Sequence, residues 1–307
     1  MRRSSFVLVR MVAVALLAGF VFLHSGCGSS PVNSQPAGAL SGNWQLNLLK
    51  NYPFQQEQLS ASGFLQQSNG KLTGSVQGPT TTNTNGTATC GGTGPLTGTV
   101  NNGTVSFTLN PGGTTINFTG AISPDQKSMS GSYEAIGGGC YSYPTSGIWT
   151  AFLIPPLNGK FTGTIESSYM GALAGLGVGA SVPVKVSGSF VQSANASSSA
   201  AALTGTITAV GYPCFATASL TGTISGQDIY LSVYGYNGLQ IGTIGQILAS
   251  GPTTAPATLS VTPTGLVVTG STSTSGFFID LGNPCPAVNQ LGNSLTSDSG
   301  GFTLNVQ

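Results

Sequence analysis

Leu96-Thr97-Gly98-Thr99-Val100 and Leu220-Thr221-Gly222-Thr223-Ile224 decide the fold, and each begins six residues after a cysteine, Cys90 in one case and Cys214 in the other. Successive side chains of a strand point to opposite faces. Both stretches therefore place their apolar ends and central glycine on one face and their threonines on the other. The same apolar-hydroxyl-glycine unit recurs at residues 72–76, 118–122, 129–133, 161–165 and 203–207. A period of two thus runs through the chain, with the hydroxyl face predicted to meet water. Ser68-Asn69-Gly70, Asn101-Asn102-Gly103, Pro111-Gly112-Gly113 and Pro124-Asp125 separate these runs with residues that favour tight turns. Short strands joined in this way predict an all-β chain of antiparallel meanders.

The register around the two cysteines continues without a gap, Val105, Phe107 and Leu109 falling opposite Ile229, Leu231 and Val233. The copies also open and close alike. Leu40-Ser41-Gly42-Asn43-Trp44 corresponds to Leu157-Asn158-Gly159-Lys160-Phe161, and Gly63-Phe64-Leu65-Gln66 is echoed by Gly188-Ser189-Phe190-Val191-Gln192. At the far end, Gly147-Ile148-Trp149-Thr150 matches Gly301-Phe302-Thr303-Leu304. This self-similarity predicts two tandem β-domains, residues 40–155 and 157–307. Sheet edges in soluble proteins are commonly guarded by charge, and only 5% of this chain is charged. Closure removes the edge, and inward glycines permit the coiling a small barrel needs, so the expectation is two barrel-like meanders, with β-sandwiches as the alternative.

Arg2 and Arg3, an apolar run over residues 11–23 and the small residues Ser25 and Gly26 before Cys27 predict a secretory signal over residues 1–26. Leu23 through Cys27 resembles the lipobox of bacterial lipoprotein precursors, although His24 stands where that pattern has an apolar residue. The resemblance implies that Cys27 is lipidated and becomes the new amino terminus; simple cleavage and an uncleaved anchor are the alternatives. Residues 27–39 then read as a lipidated cysteine and a flexible tether. Together these predict an exported protein of the cell envelope, held at the outer membrane through its lipid. The mature part resembles Gly/Thr/Ser-rich β-meander envelope proteins in composition. Gly42-Asn43-Trp44 followed by Asn69-Gly70-Lys71-Leu72-Thr73-Gly74-Ser75 also resembles the opening of avidin-type barrels. The biotin sites of that family draw on several tryptophans, whereas this chain has only Trp44 and Trp149, and the ligand is not carried over.

The single histidine, His24, and all three arginines, Arg2, Arg3 and Arg10, precede Cys27. Five lysines and seven carboxylates follow it, leaving a side-chain charge of −2. So few cations give no electrostatic footprint for nucleic acid. Without histidine there is no imidazole base or metal ligand, and the common mechanism left open is a carboxylate pair acting on a glycosidic bond. No two acids share a motif, so the expectation is a protein that is not an enzyme and needs no cofactor or metal.

Four cysteines remain, two per copy. In an exported setting they predict disulfides, Cys90 with Cys140 and Cys214 with Cys285, rather than a thiol metal site. Closing a loop of about 50 residues stabilises a fold by roughly 4 kcal/mol on the chain-entropy account. Tyr230, Tyr234 and Tyr236 fall opposite Ile229, Leu231 and Val233, forming an outward stripe suited to glycan or protein contact, or to packing against the other copy. The apolar insertion at residues 169–181 is a lid over a barrel mouth, a lipid contact, or a loop tucked against the first copy, the last being the default. The inward glycines either leave room for a small apolar ligand, as in a carrier, or are covered by Trp44, Phe64, Phe107 and Trp149. The function predicted is a non-catalytic binding or structural role.

Overall fold

In both halves the alternation of apolar and hydroxyl residues becomes strand, and paired turn residues become hairpins. The computed structural model describes residues 38–50, 57–78, 81–82, 89–90, 92–112, 114–136, 145–177, 179–194, 199–235, 237–245, 256–271, 276–280, 288–290, 293–295 and 297–307. The signal, Cys27, the tether as far as residue 37, Tyr236, Cys140 and Cys285 lie outside the described residues. Gly38–Gln307 forms one compact unit.

The first half contributes β1 (Gly42–Lys50), β2 (Glu57–Ser68), β3 (Lys71–Gln77), β4 (Thr81–Thr82), β5 (Thr89–Cys90), β6 (Thr93–Asn101), β7 (Thr104–Leu109), β8 (Thr115–Ile122), β9 (Ser128–Ile136) and β10 (Thr145–Ile154). Eight of these close into an antiparallel barrel in the order β1-β2-β3-β6-β7-β8-β9-β10, while β4 and β5 form a separate two-stranded ribbon. The Asn-Gly tips, Asn69-Gly70 and Asn102-Gly103, have positive φ at both residues (50° and 73°; 46° and 78°), the geometry that matches the twist of a two-residue hairpin. Inside, Phe107 stacks on Phe118 with ring centroids 4.5 Å apart, and Trp149 sets its edge against both at 5.3 and 5.5 Å. The two indoles also find acceptors, Trp149 Nε1 donating to the Thr119 and Ser132 carbonyls and Trp44 Nε1 to the Leu40 carbonyl. Each such fully buried side chain contributes about 1.5–3 kcal/mol of transfer free energy.

The second half contributes β11 (Gly159–Ser167), α1 (Ser168–Leu173), β12 (Val182–Gln192), β13 (Ala201–Ala209), β14 (Thr217–Ser225), β15 (Asp228–Tyr234), β16 (Gln240–Ile244), β17 (Ala257–Thr262), β18 (Gly265–Gly270), β19 (Phe277–Asp280), β20 (Val288–Gln290), β21 (Asn293–Leu295), β22 (Ser297–Gly300) and β23 (Phe302–Val306). It closes a second eight-stranded barrel, β11-β12-β13-β14-β15-β17-β18-β23. The chain therefore adopts barrels and not sandwiches. This barrel departs from a plain meander at β15. The start of β15 pairs with β17, and its end pairs with β16, which leads through β19 to β22. A register shift between Val233 and Tyr234 accompanies the division. β20 and β21 form a two-stranded ribbon outside the barrel.

The closing strands β10 and β23 take the same place in the two barrels, but Trp149 lies opposite Leu48 as Phe302 lies opposite Ile165, so the inward Trp149, not the exposed Ile148 that the sequence match pairs with it, is the counterpart of Phe302. Between the barrels, Leu157 is fully buried and its N–H donates to Gln192 Oε1 at 2.8 Å. Phe64 and Ile154 pack into the core of the second barrel, not the first. The expectation that Phe64 helps to fill the first barrel is therefore corrected. It alternates with the inward residues Ala61, Gly63 and Leu65, points out through the wall, and is covered by the other barrel.

The tip of the β14–β15 hairpin fastens this contact. Asn43 grips Gly226 from both sides, its Oδ1 accepting from the Gly226 N–H at 2.7 Å and its Nδ2 donating to the Gly226 carbonyl at 2.9 Å. Gln45 Oε1 accepts from the Gln227 N–H at 3.1 Å, and the Ser62 and Ser225 hydroxyls lie 2.9 Å apart. Gly226 has φ +56°, and a Cβ there would run into Gln45 Oε1 and Ser62. Asn43, Gln45 and Ser62 are polar residues on an outward face, yet all three are buried because the second barrel sits on them.

Candidate functional site

Outward residues of β11, β12 and β23 build a groove on the wall of the second barrel. Inward Phe161 and Ile165 bracket outward Thr162 and Thr164 on β11. Cross-strand register then makes two rows, Ser187-Thr162-Asn305 and Lys185-Thr164-Thr303. Neighbouring positions in a row are spaced about 4.7–4.9 Å between strands. Val210, at the end of β13, donates its N–H to the Lys185 carbonyl at 3.3 Å and brings a 78% exposed isopropyl group to the rim. The groove is open, has a volume of about 460 Å³, and is lined by Thr162, Thr164, Lys185, Ser187, Val210 and Asn305 among others. Its chemistry is hydroxyl, amide, one ammonium and methyl groups: donors, acceptors and modest apolar contact. Glu166, farther along β11, accepts from the Ser181 hydroxyl at 3.3 Å.

A second polar cluster closes the end of the same barrel away from the hairpin tip at Gly226. Asp298, on β22, is fully buried. Its Oδ2 accepts from the Ser167 hydroxyl at 2.7 Å and the Tyr212 hydroxyl at 2.6 Å, and its Oδ1 from the Ser168 hydroxyl at 3.0 Å and the Tyr169 N–H at 2.9 Å. Four donors on two oxygens fill the carboxylate's acceptor sites. Ser167 in turn caps α1, its hydroxyl accepting from the Met170 N–H at 2.9 Å. Burial, then the Asp298 charge, raises the pKa values of Tyr212 and Tyr169 above the ordinary tyrosine value. This arrangement pins α1 over the barrel end.

Tyr230 and Tyr234 lie on the outer face of β15, half-buried, opposite the inward Ile229, Leu231 and Val233. Burial, then Asp228, raises the Tyr230 pKa, and burial raises that of Asp228. The apolar insertion does not tuck against the first barrel. α1 packs on β12 of the second barrel and on β20 and β22 of the same half, with Tyr169 and Ala172 inward and Leu173 and Leu176 exposed. The inward glycines are covered: a Cβ at Gly120 would come within 2.9 Å of the Trp149 ring, and one at Gly188 would strike Phe161. Cys90 lies on β5, opposite Thr81, and Cys214 is buried in the second core. Glu134 is on β9 of the first barrel and Glu166 on β11 of the second. Among the described residues no group of three or more His, Cys, Asp or Glu could hold a metal ion.

Two features escaped sequence reasoning. Asp298 carries no motif, and its four donors come from 86 to 131 residues away. The groove arises from three strands of which one is the last in the chain. The only signal available for it was the cross-copy alignment of the strands that line it.

The sequence matches no protein-family model, no curated protein and no solved structure. Among the described residues no helix is long and apolar enough to cross a membrane. A β-barrel of this kind is compatible with a binding or a carrier role.

Proposed function

We propose that this is an exported, lipid-anchored protein of the bacterial cell envelope, held at the outer membrane through Cys27, with a non-catalytic binding or structural role. Its contact surface is the outer wall of the second barrel, and its partner a glycan or a protein. The observation that carries this reading is the groove of about 460 Å³ on the outside of a barrel whose interior is packed with aromatic and aliphatic side chains. Stacking of Phe161 on Phe190, with centroids 4.6 Å apart, supports contact from outside over carriage within. The absence of histidine and arginine after Cys27 supports a role without catalysis. Two disulfides, Cys90 with Cys140 and Cys214 with Cys285, staple the domains. Burial of Cys214 in the core of the second barrel supports a disulfide there over an exposed thiol.

The test is binding of the exported protein to glycan and protein arrays, with Thr162→Arg to block the groove and Tyr234→Ser to blunt the tyrosine stripe. Loss of binding in Thr162→Arg alone is expected. Undiminished binding by that variant moves the contact elsewhere. Native mass spectrometry without reductant reads the disulfides from the hydrogens lost and reveals any small molecule retained inside a barrel.

A further inference from the structure

We propose that the groove of the second barrel seats a second copy of this chain, entered by that copy's β6–β7 hairpin, so that molecules associate head to tail. This rests on the reading of the groove as a contact surface. The two barrels share a register: Gly42 lies opposite Leu65 as Gly159 lies opposite Phe190, and three positions on, Gln45 lies opposite Ser62 as Thr162 lies opposite Ser187. On the third strand of each site, Phe152 lies opposite Gln45 as Asn305 lies opposite Thr162. In the first barrel this place is filled. The hairpin tip at Gly226 rests on Gln45 and Ser62, and Phe152 packs against the second core. In the second barrel the same place is the open groove, lined by Thr162, Ser187 and Asn305.

The occupant follows from the same equivalence. The β6–β7 hairpin stands in the first barrel where β14–β15 stands in the second. Both have two-residue tips, Asn101 pairing with Thr104 and Ser225 with Asp228, and both tips use the left-handed region. Residues 101–104 are exposed, whereas Gly226 is buried. The chemistry is adapted, not copied. Lys160 stands in place of Asn43, so an ammonium meets the tip carbonyls where a side-chain amide does in the first barrel. The amides of Asn101 and Asn102 face the hydroxyls of Thr162 and Ser187. Ser189 stands in place of Phe64, and no covalent linker holds the partners, so the contact between chains is weaker than the one within a chain. Because hairpin and groove are different surfaces, the interface is heterologous, and each added chain presents a fresh groove.

Sedimentation velocity on the compact unit Gly38–Gln307 over a concentration series tests this. The average mass is expected to rise beyond that of a dimer without a plateau. Thr162→Arg blocks the groove and Thr104→Arg the hairpin; both positions are exposed, and circular dichroism checks the fold. Each variant alone is expected to lose all species heavier than monomer. An equal mixture is expected to give a heterodimer and stop there, because one intact groove meets one intact hairpin. A wild type that stays monomeric, a variant that still self-associates, or a mixture that forms no heterodimer each overturns the proposal. If the wild type is monomeric while Thr162→Arg abolishes binding to a glycan, the groove is a contact surface for that glycan and the head-to-tail inference alone falls.

Discussion

The β6–β7 and β14–β15 hairpins arise from aligned sequence and carry two-residue tips that use the left-handed region, yet one is exposed within its own chain and the other is buried against Asn43, Gln45 and Ser62. The difference lies in what their tips can approach. Gly226 offers backbone on both sides to the Asn43 amide, with no Cβ to hold the wall away. At the tip of the other hairpin Asn102 carries a side chain, and a Cβ on Gly103 would meet nothing within 4 Å. One repeat unit thus stays exposed within its own chain in one copy and serves as a fastener in the other. The barrels differ in the same sense: the first is a plain meander filled by tryptophan, whereas the second adds a branch from β15 and a plug held by a buried carboxylate.

The largest effect is expected at that plug. Asp298→Ala leaves two serine hydroxyls, a tyrosine hydroxyl and a backbone N–H without their acceptor and costs about 3–5 kcal/mol. Both tryptophans belong to the first barrel, so tryptophan fluorescence reads that barrel while far-ultraviolet circular dichroism reads both. The variant is expected to lower the dichroism midpoint in urea more than the fluorescence midpoint. Equal shifts mean that the barrels unfold as one unit.

Next come the hairpin tips themselves. Gly226→Ala meets Gln45 and Ser62 in a left-handed conformation and is expected to cost about 2–3 kcal/mol, against about 1 kcal/mol for Gly103→Ala, which meets only the backbone penalty. Equal costs in urea titrations erase the distinction between fastener and free surface. Asn43→Ala, which orphans the Gly226 N–H and carbonyl, is expected to cost about 2 kcal/mol.

Alkali separates the barrels through Tyr212. Its folded pKa is raised by burial and by Asp298, so the unfolded chain gives up the proton first, near 10.0. Stability present below that pH is lost as pH rises above it, at about 1.4 kcal/mol per pH unit while only the unfolded form is ionised. Tyrosinate absorbance followed with circular dichroism checks this, and Tyr212→Phe is expected to flatten the slope. The smallest effect is at the stripe: Tyr234→Ser removes a half-buried ring from the outer face of β15 and is expected to cost less than about 1 kcal/mol.

Much of the architecture is legible in the residues. The repeated units predict strands because alternation is a property of neighbouring positions, and Asn69-Gly70 and Asn102-Gly103 predict hairpins because their backbone preferences are local. Closure follows from scarcity of charge at the edges. The sites are less legible. Phe64 reads as core and is core, but of the other barrel. Asn43 and Gln45 lie on the polar outward face of β1, and nothing near them in sequence shows that they are buried. Tyr230 and Tyr234 fall on the outer face their spacing predicts, whereas the insertion turns back on its own barrel because Asp298, far away in sequence, holds Ser167, Ser168 and the Tyr169 N–H.

By itself, then, the sequence determined an all-β chain of two related halves with hydroxyl residues outward and aromatic residues over inward glycines, since each of these depends on residues a few positions apart. Tertiary structure alone decided which outward faces stay in water. The Gly226 tip covers Asn43, and Asp298 fastens α1, through hydrogen bonds whose partners are brought together only when separate strands close into barrels and one barrel settles on the other.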